Sequence, residues 1–83
     1  MDQNNIIAVL HIHKTDEKID LELPLDITAN ELIIGLNQAF ALGMDVNDLS
    51  ACFLRTEHPI AFLQGGKTLA EYGLRNGTVI NHI

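Results

Sequence analysis

Between residues 6 and 13 the apolar side chains sort by parity. Ala8, Leu10 and Ile12 fall on one side of an extended chain, and Ile7, Val9, His11 and His13 on the other. Residues 14–18 are polar and suit a hairpin connection. Residues 19–25 then alternate, with apolar side chains at the odd positions and Asp20 and Glu22 between them. That alternation predicts a strand with one buried and one wet face. Pro24 has no N–H for a ladder bond, so the strand should end there or lie at a sheet edge.

The period changes at Thr28. Thr28-Ala29-Asn30-Glu31 has capping-box spacing, and Ala29, Leu32, Ile33, Leu36 and Phe40 then form one helical stripe. Gly43 is placed to end the helix in a left-handed turn. Beyond the polar loop 45–50, residues 51–56 read as a third strand and 60–63 as a short fourth. Gly65-Gly66 supplies a turn, residues 68–72 a single helical turn, and Asn76-Gly77 a tight turn before a last strand over 78–83. No repeat or linker interrupts the series, so the whole chain, 1–83, is read as a single domain.

The closing segment, Thr68-Leu69-Ala70-Glu71-Tyr72-Gly73-Leu74 and the strand after Asn76-Gly77, resembles the end of ubiquitin-like domains. The element order resembles the same fold, an α+β β-grasp with a five-stranded mixed sheet on one main helix. Ubiquitin and the sulfur carriers continue into a Gly-Gly tail, whereas Ile83 still lies within the last expected strand. In size, in the Leu21-Glu22-Leu23-Pro24 stretch and in the Asn-Gly turn before one final strand, the chain resembles the YukD/EsaB-like bacterial ubiquitin-like proteins. That resemblance implies a cytoplasmic, non-enzymatic accessory of type VII secretion in Gram-positive bacteria, with a secretion-machinery protein as partner. Two other readings stay open: a sulfur carrier or modifier activated at its C-terminus, and the cytosolic ubiquitin-like domain of a larger secretion membrane protein.

Charge narrows the partners. Five basic residues against eleven acidic ones leave −6, which repels nucleic-acid backbones and anionic membranes. No segment approaches the roughly 20 apolar residues of a membrane span. The polar start, Met1-Asp2-Gln3, does not resemble a secretory signal. Cys52 is alone and fits a reducing compartment.

Few residues suggest chemistry, and no cofactor, metal or catalytic group is expected. His11 and His13 share a strand face near Asp20 and Glu22, which suits solvated histidine–carboxylate pairs better than a four-ligand zinc site. Cys52 shares the parity of Leu54 and should pack toward the helix. Tyr72 should bury its ring beside Leu69 with its hydroxyl on a backbone group. Gly65-Gly66 is internal, so it reads as a turn rather than a conjugation tail. The parity that turns Cys52 inward turns Phe53 outward, as it does Ile7 and Val9 on the first strand. These three are the candidate protein-binding residues, bridged by Val79, His82 or Ile83 according to a register the pattern does not fix.

Overall fold

The computed structural model describes residues 4–83, so the reading of the polar start falls outside the described residues. β1 (Asn5–Ile12) and β2 (Glu17–Pro24) form an antiparallel hairpin in which Ala8 faces Leu21 and Leu10 faces Ile19. The expected parity holds, since Ile6, Ala8, Leu10 and Ile12 are buried and Ile7 and His13 are exposed. β3 (Leu54–Glu57), β4 (Ala61–Leu63) and β5 (Val79–His82) complete one sheet in the order β2-β1-β5-β3-β4. The β1–β5 pairing is parallel and the others antiparallel. Pro24 closes the edge strand β2, where its missing N–H costs no ladder bond.

α1 (Ala29–Phe40) starts at the expected capping box. Glu31 N–H donates to Thr28 Oγ1 at 3.1 Å, and Thr28 N–H donates to the Glu31 carboxylate at 2.9 Å. Such a cap contributes about 1 kcal/mol. Ala29, Leu32, Ile33 and Leu36 are buried and pack with the inner faces of β1, β3 and β5 in one core, with Phe40 half-buried at its end.

Several boundaries differ from the sequence reading, and the last strand spans Val79–His82 rather than 78–83, which leaves Ile83 beyond it. Ala41, not Gly43, takes the left-handed position after the helix, at φ 52°. The Asn37 side chain clamps Met44 by accepting from its N–H and donating to its C=O, so the chain reverses earlier and Gly43 (φ 78°) serves a second bend. The third strand starts at Leu54 rather than 51, because Ala51 and Cys52 N–H groups bond to Asp48 and Leu49 in a 3₁₀ turn, Leu49–Ala51. Residues 68–72 make the single helical turn expected, closed by Tyr72 N–H on Thr68 C=O at 3.1 Å. There Thr68 and Glu71 exchange capping-type bonds, and Gly73 (φ 80°) reverses the chain before buried Leu74.

Candidate functional site

With the inner face sealed by α1, the outer sheet face is available for contact. The register fixes its rows. Val9 lies beside Val79, which lies beside Glu57; His11 lies beside Asn81, then Arg55, then Phe62. Val79 and Asn81 therefore bridge β1 and β3. His82 has the opposite parity and turns inward, toward Ile12, Phe40 and Leu42.

Ile7, Val9 and Phe53 all share this outer face, but the register divides them. Phe53 sits four residues beyond Glu57 toward one end of the sheet, and Ile7 two residues beyond Val9 toward the other. At about 3.3 Å per residue that separates Ile7 from Phe53 by roughly 20 Å along the strands. Between them lies buried Asn81, whose Nδ2 donates to the Glu57 carboxylate at 3.0 Å and whose Oδ1 bonds the His13 ring at 2.7 Å.

Phe53 instead belongs to a cluster that the strand pattern did not assemble. Its ring stacks on Phe62 with centroids 4.7 Å apart and planes 16° apart. The Arg55 guanidinium lies 5.6 Å from the Phe53 centroid. Ile60 and Ile83 stand nearby, 92% and 77% exposed, and with Phe62 they line a groove of about 530 Å³. The alternation of Ile60 and Phe62 against Ala61 and Leu63 was the available signal for the outward pair.

The histidines find different partners from those expected. His11 faces Lys18, while Asp20 and Glu22 face Val9 and Ile7. The carboxylate that meets His11 is Asp16 of the turn, 2.9 Å from Nε2, and the hydrogen bond and charge of His11 lower the Asp16 pKa. His11 and His13 stack at 3.8 Å. His82 Nδ1 is buried without a partner, and burial lowers its pKa, helped by His13 and Lys14. Hydrogen bonds from Thr68 hold the exposed Glu71 carboxyl below its ordinary range. Among the described residues no three His, Cys, Asp or Glu side chains converge as a metal site.

The remaining candidates are structural. The Cys52 thiol is buried and donates to the Asp45 and Asp48 carbonyls. Tyr72 Oη donates to Gln64 C=O at 2.8 Å, with the Lys67 ammonium 4.7 Å from its ring centroid. Gly65 exchanges bonds with Asn30, its N–H to Asn30 Oδ1 and its C=O from Asn30 N–H, so the double glycine is a turn held against the helix start. Among the described residues no helix is long and apolar enough to cross a membrane.

Residues 7–81 match the model of a family described as "WXG100 protein secretion system (Wss), protein YukD". No curated protein matches the chain by sequence. Among solved structures, the C-terminal ubiquitin-like domain of mouse tubulin-specific chaperone e is similar at TM-score 0.72 and 15% identity, over 98% of this chain and 87% of that one. The ubiquitin-like domain of Plasmodium falciparum Dsk2 is similar at TM-score 0.63 and 15% identity, over 93% and 96%. A protein designed on ubiquitin is similar at TM-score 0.65 and 18% identity, over 96% and 88%. At these identities the likeness establishes a ubiquitin-like β-grasp fold and nothing about partners.

Proposed function

This chain belongs to the YukD family of the WXG100 protein secretion system, and from that premise we propose a non-catalytic interaction module of that machinery. It works in the cytoplasm and engages a protein component of the secretion apparatus through its outer sheet face. The observation that carries this reading is the stacked pair Phe53 and Phe62, 39% and 48% exposed, in a fold whose other face is closed by α1. Large apolar side chains gathered on one surface mark contact sites.

The test replaces the gene in its host with a Phe53→Asp variant and follows WXG100 protein in the culture medium. The variant should accumulate at normal level, melt within a few degrees of wild type, and fail to support export. Export that survives deletion of the whole gene refutes the secretion role. Collapse of the variant's fold refutes the surface assignment.

A further inference from the structure

The outer sheet face carries its charges in two neighbouring rows. In the first, Asp20 lies beside Val9, Val9 beside Val79, and Val79 beside Glu57. In the second, Lys18 lies beside His11, then come Asn81, Arg55 and Phe62. Carboxylates on β2 and β3 therefore mark one row, and cations on the same two strands mark the other. Lys18 and Asp20 are exposed and two apart on one face, as are Arg55 and Glu57, yet neither pair closes. Among the described residues the ion pair is His11 with Asp16. On β4 the register that sets Thr56 beside Ala61 brings Glu57 next to Ile60, so Ile60 extends the first row as Phe62 extends the second. Both are exposed.

Such a face is complementary to itself. A two-fold axis lying in the interface, across the strands and midway between the rows, turns the first row of one copy onto the second row of another. β2 then meets β2 and β3 meets β3. Asp20 faces Lys18 of the second copy, Glu57 faces Arg55, and Ile60 faces Phe62, each contact occurring twice. We propose that two copies of this chain pair face to face through these rows, their strands antiparallel within the crossing of about 30° usual for stacked sheets. This rests on the reading of the outer face as a contact surface, and the second copy excludes a secretion component while it is bound. Five strands about 4.8 Å apart and about 20 Å of strand length give roughly 480 Å² per copy. The total of about 1,000 Å² is the lower bound for a specific interface, so the dimer is weak and exchanges. A strongly basic partner gains less, because the two rows are neutral in sum. Much of the −6 comes instead from Asp26, Glu31, Asp45, Asp48 and Glu71, in loops and on α1.

The test is sedimentation velocity on the purified chain. Its weight-average mass should rise from 9.2 kDa toward twice that between about 10 µM and about 1 mM protein. Arg55→Glu alone and Glu57→Arg alone each set like charges opposite one another twice, and each should weaken pairing at least about tenfold. Mixed in equal amounts, the two variants should pair about as tightly as wild type, because every contact between positions 55 and 57 then joins Glu to Arg. Lys18→Glu and Asp20→Lys repeat the design at side chains outside any ion pair of the monomer, with circular dichroism showing each variant folded. Amide NMR shifts on dilution should follow the two rows and spare α1. A wild type that stays at 9.2 kDa, a single variant that pairs like wild type, or a mixture that stays monomeric overturns the proposal. So do dilution shifts confined to β2 or β4, which assign the association to a free strand edge. If wild type stays monomeric while Phe53→Asp stops export, face-to-face pairing is rejected and the interaction-module reading stands.

Discussion

Ile33 and Ile34 are neighbours on α1 with opposite environments, one fully buried and the other 40% exposed. Replacing each by alanine removes the same atoms and gives the same small gain in helix propensity, so the difference between the variants isolates burial. At Ile33 three lost methyl or methylene groups at about 0.8 kcal/mol each give about 2.4 kcal/mol. The cavity left in the shared core raises the cost to about 3.5 kcal/mol, within the usual range for such truncations. At Ile34 much of the removed surface is already wet, and the cost should stay near 1 kcal/mol or below. For a chain of 83 residues the unfolding entropy is about 0.17 kcal/mol/K, so each kcal/mol moves Tm by about 6 °C. The two variants should thus melt about 15 °C apart, and urea midpoints should differ in the same sense with similar m-values. Equal midpoints, or a larger loss at Ile34, would mean that α1 lies rolled on the sheet and that the inner-face assignment is wrong.

Thr28→Ala should cost about 1 kcal/mol, read as a urea midpoint shift, because Glu31 N–H loses its acceptor. His82 resists protonation in the folded state while the unfolded chain takes the proton near pH 6.5, so stability should fall as pH drops through that value. In His82→Gln, differential scanning fluorimetry across pH 8 to 5 should show a flatter Tm profile than wild type, and a steeper one contradicts the buried, unpartnered ring. Cys52 should be inert to Ellman's reagent in buffer and react along the urea unfolding curve; fast labelling of native protein would place the thiol at the surface.

The hairpin, the helix and the inner face were legible because each is written in local periodicity. Parity placed Ala8, Leu10, Leu54 and Cys52 inside, and the Thr28–Glu31 spacing located the helix start to the residue. What failed depended on distant partners. Asn37 sets the helix exit through Met44, and Asp48 holds Ala51 out of the third strand. Alternation tells which face a side chain takes but not what stands beside it on the next strand. Ile7 and Phe53 were therefore grouped correctly by face and separated by register, and the pairing of Phe53 with Phe62 and Arg55 emerged only from the three-dimensional arrangement.

The parallel contact between β1 and β5 joins the first and last strands at the centre of the sheet. A nascent polypeptide can form its opening hairpin and begin to coil its helix early, yet the middle of the sheet stays open until Val79–His82 emerge from the ribosome. Losing those few residues would strip β1 and β3 of a shared neighbour and leave two raw edges where the intact domain has none. Ordering of this domain should therefore be an all-or-nothing event that waits for its final strand.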